Sequence, residues 1–229
     1  MTTHFKDFSN AGTDLAKTQK FYVADTHVRP YRDRFKRLFD IAFVIAAAPI
    51  AIPLVGFMLL LAMLDGGKPF YRQRRIGKNG RIYSMIKIRS MVPNADQRLE
   101  AYLEANPEAR EEWDSTQKLK NDPRITKIGK FLRKSSMDEL PQLWNVLKGD
   151  MSVVGPRPMM EDQKSLYPGA AYYAMRPGIT GPWQVSDRNE TTFAQRATFD
   201  TQYYYELTMK KDAEILCKTV GVVLRCTGH

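Results

Sequence analysis

The chain has 229 residues, 35 Lys+Arg against 25 Asp+Glu and a formal net charge of +10; this size allows one globular domain plus an appendage, and the charge suits anionic partners. Three histidines (His4, His27, His229) and two cysteines, Cys217 and Cys226, nine apart, supply no histidine zinc site, no Ser-His-Asp triad and no disulfide framework. No Walker-type G-x-x-x-x-G-K-[ST] or dinucleotide-type G-x-G-x-x-G run occurs, so any catalysis must rest on carboxylates and cations.

In chain order, residues 1–30 lack periodicity and read as a loosely ordered tail. From Ile41 to Leu64 run 24 residues without a charge, about 36 Å as a straight helix and enough to cross a hydrocarbon core. Pro49 and Pro53 fall near its middle, where each deletes a helix hydrogen bond. Arg32, Arg34, Lys36 and Arg37 precede the segment. Lys68, Arg72, Arg74, Arg75, Lys78, Arg81, Lys87 and Arg89 follow it, with no acid between 68 and 89. Cationic flanks prefer the cytoplasmic side, and here both flanks are cationic. Residues 31–67 are therefore expected to form a re-entrant helix–break–helix that enters and leaves by one leaflet, with 68–229 as a cytosolic domain.

Tyr71 to Met91 reads as a β-hairpin turning at Gly77-Lys78-Asn79-Gly80. Lys87 and Arg89 share a strand face, either as a solvated surface or as a pair of phosphate-facing cations. Residues 94–119 are acidic, with seven acids and two bases within 96–114, and are expected to form two solvated helices divided at Pro107. Asp122-Pro123 is expected to open a basic amphipathic helix with Ile125, Ile128, Phe131 and Leu132 as its apolar stripe, a pattern suited to a membrane surface. An aromatic-rich helix around Phe193 to Tyr205 and an amphipathic segment from Ile215 to Leu224 close the chain. The predicted fold class is α+β, mostly helical.

Residues 135–149 read SSMDELPQLWNVLKG. Ser136 with Glu139 matches a capping box, Leu140, Leu143, Trp144 and Leu147 a buried stripe, and Gly149 a helix stop. Asp138 and Glu139 either sit where the helix dipole favours acids or approach one hard cation such as Mg²⁺ together with substrate phosphate. Downstream, Arg157 lies between two prolines in VVGPRP, and Arg176-Pro177-Gly178 reads as a type II turn, so both arginines are candidate phosphate forks. Several cations around one carboxylate pair point to phosphoryl transfer. A membrane-tethered nucleic-acid-binding protein is the alternative that charge alone allows, but no reading helix or aromatic stacking platform supports it.

The runs DPRITKIGKFLRKSSMDELPQLWNVLKGDMSVVGPRP (122–158) and RPGITGPWQVSDR (176–188) resemble the bacterial sugar transferase family, monotopic polyprenyl-phosphate phosphoglycosyl transferases. The likeness covers roughly residues 30–229. MIKIRSM (85–91) stands where the family has a YKFRSM-like strand, and Ala48-Pro49 where its re-entrant helix breaks at Ser-Pro. The resemblance implies that Asp138 attacks the β-phosphate of a UDP-sugar, releasing UMP. Undecaprenyl phosphate then takes the sugar-phosphate, while Glu139 holds Mg²⁺ or positions phosphate and Arg133, Arg157 and Arg176 bind phosphates. It also implies membrane lipids as surroundings, the cytoplasmic face of the bacterial inner membrane as location, no nucleic-acid partner, and compatibility with a homodimer. The run TVGVVLR (219–225) is similar to exopolysaccharide-initiating members, implying galactose or glucose as the sugar.

Overall fold

Helix α1 (Lys36–Leu64), led in by a π-helical turn at Tyr31–Phe35, governs the layout of the protein. The computed structural model describes residues 29–116, 119, 121–186 and 193–224. Nearly all of the expected tail, with His4 and His27, lies outside the described residues, as do Cys226 and His229. Helix α1 buries Lys36, Asp40, Val44, Ala51, Met58 and Ala62, steps of four and seven residues that keep them on one stripe. Ile45, Ile50, Ile52, Phe57, Leu60 and Leu64 are exposed around the rest of its surface.

Both ends of this helix, about 43 Å apart at 1.5 Å per residue, are fastened to the same body. At the N-terminal end Lys36 pairs with Asp40 at 3.1 Å and with Asp212 at 2.7 Å. Asp40 accepts hydrogen bonds from Ser152 Oγ and the Val153 amide, and Tyr31 donates to Asp212. At the C-terminal end Arg89 donates to the Ala62 carbonyl, Thr126 donates to Asp65, and Met58 and Ala62 pack with Ile88 and Leu132. The helix–break–helix expected at Pro49 and Pro53 is absent, because the backbone stays helical through both prolines. Each ring removes one donor, which frees only the carbonyls of Ile45 and Pro49, and the flanking turns hold the backbone in register.

Strands β1 (Phe70–Ile76) and β2 (Ile82–Ile88) form the expected antiparallel hairpin, with Lys87 opposite Tyr71. The acidic block folds as expected into α2 (Ala95–Ala105) and α3 (Pro107–Thr116). Helix α4 (Lys127–Lys134) begins later than Asp122-Pro123 suggested. The Asp122 carboxylate instead binds the Arg124 amide and guanidinium, and Thr126 caps the helix through the Gly129 amide at 2.8 Å. Gly129 lies against the backbone of Ser90; a Cβ there would come within 1.9 Å of the Ser90 carbonyl oxygen.

Helix α5 (Gln142–Lys148) turns a different face inward from the one its leucines implied. It buries Gln142, Asn145 and Val146, whereas Trp144 is 58 % exposed and Leu143 only partly buried. The cause is Asn145, whose side chain accepts from the Ile86 amide at 3.0 Å and donates to the Ser84 carbonyl at 2.8 Å. It satisfies the open edge of β2 as another strand would, and this docking fixes the helix rotation. Gly149 ends the helix at φ 87°, as expected.

The two arginine-bearing runs, read as turns, form a parallel pair: β3 (Ser152–Val154) and β4 (Gly178–Thr180). Gly178 is not among the residues with positive φ, so no type II turn forms there. Glycine is needed instead because a Cβ would lie 2.1 Å from the Gly155 nitrogen. Helices α6 (Ala171–Ala174), α7 (Arg196–Glu206) and α8 (Met209–Leu224) complete the α+β fold.

Gly129→Ala is expected to destabilise the protein by roughly 2 kcal/mol, since a methyl group must displace backbone. Gly56→Ala, where a Cβ meets nothing within 4 Å, is expected to leave stability unchanged or slightly raised. Thermal melts of the two variants in one detergent compare them directly.

Candidate active site

Asp138 and Glu139 lie on a 3₁₀ turn, Met137–Glu139, rather than inside a capped helix. Ser136 takes a left-handed conformation and makes no side-chain cap, so the capping box does not form. Three attachments hold this turn in place. Met137 packs into the cluster of Ile88, Leu132 and Met58, Asn145 docks the following helix onto β2, and Gly129 brings α4 against Ser90.

These attachments set the pair beside Lys87. Its ammonium lies 2.6 Å from Glu139 Oε1 and 3.9 Å from Asp138 Oδ2. Asp138 is 6 % exposed. Burial pushes its carboxyl up to about 6; Lys87 and Arg133 restrain the rise and the neighbouring Glu139 adds to it. For Glu139 burial acts upward too, but Lys87, Arg157 and Arg75 outweigh it and hold the carboxyl below the ordinary range. One cation thus serves two adjacent acids unequally, keeping Glu139 charged and leaving Asp138 titrating near neutral pH.

Of the cations singled out in the sequence, Lys87, Arg133 and Arg157 gather around the pair. Arg133 is oriented by donating Nε to Ser90 Oγ at 2.9 Å and lies in the field of both carboxylates. Arg157 lies in the field of Glu139 with its guanidinium 5.7 Å from the centre of the Trp183 ring. Arg89 is instead engaged with the Ala62 carbonyl at the end of α1. Arg176 donates to the Gly149 carbonyl at 2.9 Å and lies near Lys78 and Arg37, away from the pair.

Sequence reasoning passed over Arg75 as a site residue. Its side chain donates to the Pro158 carbonyl and to Gln73 Oε1, burial pushes its guanidinium down, and it acts on Glu139. Its position in a strand among many flanking cations offered no local signal. Beside Arg157 opens a small aromatic cleft lined by Tyr167, Tyr172, Trp183, Phe193, Arg196 and Asp200. Asp200 accepts from the Tyr167 hydroxyl at 2.7 Å, its Oδ1 has no hydrogen-bond partner among the described residues, and burial pushes its carboxyl up to about 7.

A carboxylate pair with one lysine between its members and arginines at its rim has the chemistry to hold a phosphate-bearing ligand and to present a carboxylate oxygen to it. The family profile described as "Bacterial sugar transferase" matches residues 31–226. The chain belongs to that family. It is 46 % identical over 206 residues to the exopolysaccharide production protein ExoY of Rhizobium meliloti (strain 1021), covering 88 % of this chain and 90 % of the relative. It is 43 % identical over 224 residues to a UDP-galactose-lipid carrier transferase of Erwinia amylovora, covering 95 % of this chain and 47 % of the relative. It is 48 % identical over 195 residues to an undecaprenyl-phosphate galactose phosphotransferase of Salmonella typhimurium, covering 84 % of this chain and 41 % of the relative. The chain thus spans most of the Rhizobium protein but about half the length or less of the Erwinia and Salmonella proteins.

The buried Asp200 makes stability depend on pH with a definite sign. Its carboxyl ordinarily titrates at 3.8 and here at about 7, so between these values the folded state holds a proton that the unfolded state has lost. Stability is fully present below about 4 and falls as pH rises towards about 7. The melting temperature of the wild type is expected to drop by several degrees across that window, and Asp200→Asn to flatten that part of the curve.

Proposed function

We propose that the protein transfers a sugar-1-phosphate from a UDP-sugar to undecaprenyl phosphate, releasing UMP and beginning exopolysaccharide assembly. The observation that carries this reading is the buried Asp138 carboxylate, set beside Lys87 and Glu139 with Arg133 and Arg157 around it. In the first half-reaction an Asp138 oxygen forms a bond to the β-phosphorus. The bond from that phosphorus to the oxygen bridging the two phosphates breaks, and UMP leaves with the bridging oxygen. In the second, an oxygen of undecaprenyl phosphate attacks the same phosphorus. The Asp138–phosphorus bond breaks, the carboxylate is regenerated, and the product carries the sugar on a lipid diphosphate.

The residues suit these steps. A carboxyl titrating at about 6 is largely ionised at neutral pH, and burial leaves it poorly solvated and therefore ready to attack. The acceptor phosphate is already mostly ionised, its second pKa being about 6, so no histidine base is required. Lys87, Arg133 and Arg157 neutralise the diphosphate and steady the departing UMP. Asp138 and Glu139 fit Mg²⁺: two hard carboxylates stand side by side, and Glu139 Oε2 has no hydrogen-bond partner among the described residues. Mg²⁺ commonly takes one or two carboxylates and completes its shell with phosphate and water, and when bound it supplies further charge neutralisation. The names of the Salmonella and Erwinia relatives favour galactose as the sugar, with glucose the next to test.

The same reading places α1 in the cytoplasmic membrane with both ends on the cytoplasmic side. Its fastening at Lys36 and at Ala62 to a single body supports a helix that does not cross. Phe131, Trp144 and Leu147 are exposed on α4 and α5, which both pack against α1, and they offer apolar contact to the same lipid.

With undecaprenyl phosphate and Mg²⁺ present, UMP release is expected for at least one UDP-sugar, UDP-galactose first. Asp138→Asn is expected to lose about 10³-fold or more in turnover and Lys87→Gln about 10²-fold. With acceptor withheld, intact-protein mass spectrometry is expected to find the phosphosugar adduct on the wild type and not on Asp138→Asn. No UMP from any donor, or full turnover by Asp138→Asn, would overturn the mechanism. For the topology, Ile50→Cys, at an exposed position of α1, is expected to resist an impermeant thiol reagent added from the periplasmic side, and ready labelling from there excludes the same-leaflet arrangement.

A further inference from the structure

The hairpin carries cations at both ends, and only one end faces the acidic pair. At the other end Lys78 and Arg81 from the turn, Tyr83 from β2, Asp150 after α5 and Arg176 before β4 line a cleft of about 520 Å³ counted to its open mouth. Arg81 and Lys87 are six positions apart, roughly 20 Å along an extended strand, so this cleft is separate from the transfer site.

Its charges are out of balance in a specific way. The Arg176 Nε donates to the Gly149 carbonyl, which fixes the guanidinium, and its terminal nitrogens have no partner among the described residues. Lys78 and Arg81 form no ion pair among the described residues. The nearby acids are engaged elsewhere, Asp150 with Lys148 at 3.1 Å and Asp33 with Arg32 at 2.8 Å. Tyr83 is 6 % exposed and its hydroxyl has no hydrogen-bond partner among the described residues. Desolvation first, and then the charge of Arg176, push the Lys78 ammonium down, with Asp33 acting in the opposite direction. The cleft therefore presents three cationic donors, with Asp150, held by Lys148, as the one acid on its lining. A phosphate group, rich in acceptors and lacking donors when ionised, complements that set.

We propose that this cleft is a second phosphate-binding site, distinct from the Asp138 centre, that takes a phosphate-bearing anion from solution or from a phospholipid headgroup. The inference rests on the cleft alone and stands whether or not the proposed transfer reaction is correct. Lys78 lies in the field of Arg32 and Asp33 in the lead-in to α1, which brings the cleft close to the segment that enters the membrane and makes a headgroup an accessible source.

The test uses the full chain in phosphatidylcholine nanodiscs, titrated with inorganic pyrophosphate by calorimetry. The double variant Lys78→Gln/Arg81→Gln is expected to lose one binding event, or to weaken it at least tenfold, while UMP release from a UDP-sugar stays within twofold of wild type. Lys87→Gln is expected to retain that event. Both substituted side chains are exposed, and an unchanged melting temperature confirms folding; the single Lys78→Gln serves where the double variant melts early. Replacing part of the lipid with phosphatidylglycerol separates the sources. Tenfold weaker pyrophosphate binding at this site identifies the headgroup as occupant, and unchanged binding identifies a soluble phosphate. Pyrophosphate binding that is identical in wild type and the double variant, or that disappears only with Lys87→Gln, overturns the proposal.

Discussion

The ammonium of Lys87 is the contact on which the site depends. Two carboxylates adjacent in sequence, one of them buried, repel each other and lose hydration together, and a fold tolerates this only with a cation between them. Lys87 reaches Glu139 closely and Asp138 at longer range, so it compensates one acid fully and the other in part. This asymmetry separates the two carboxyls into a permanently charged partner and a desolvated one poised near neutrality. Each attachment that brings the 3₁₀ turn to β2, namely the Asn145 amide on the strand edge, Met137 in its apolar cluster and Gly129 against Ser90, serves that lysine's placement.

Helix α1 supplies the second constraint. It is long and apolar enough to cross a bilayer, yet it lays one stripe along the body and is tied down at both ends. A buried ion network of Lys36, Asp40 and Asp212 fastens the first turn, and the Arg89 guanidinium holds the Ala62 carbonyl near the last. Arg89 thus joins the strand that carries Lys87 to the long apolar helix. In the proposed transfer from a soluble donor to a lipid acceptor, this link would refer the acidic pair and α1 to one rigid element.

Much of this was legible from local pattern. The hairpin and its turn, the acidic helix pair divided at Pro107 and the stop at Gly149 follow from composition and spacing, and the candidates Lys87, Asp138, Glu139, Arg133 and Arg157 are ones that the structure brings together. Misreadings arose where one side chain overrode a pattern. Leucine spacing in α5 suggested a buried Leu143–Trp144–Leu147 face, but the polar Asn145 decided the rotation by closing the edge of β2. Gly178 looked like a turn glycine, but its lack of a Cβ serves a backbone crossing with Gly155. The prolines of α1 suggested a break, but the continuous stripe of contacts keeps the helix whole.

By itself the sequence determined the chemical inventory: a charge-free segment long enough for lipid, an excess of cations, two adjacent acids and no histidine near them. Those properties belong to the residues and are independent of how they are arranged. Only the tertiary structure decided which cation meets which acid. Charge interaction falls off with distance and burial, and both are set by packing between segments far apart in the chain. That is why Lys87 and Arg75 act on the pair from a hairpin some fifty to sixty residues upstream, while Arg176, less than forty residues downstream, lies at the opposite end of the same hairpin.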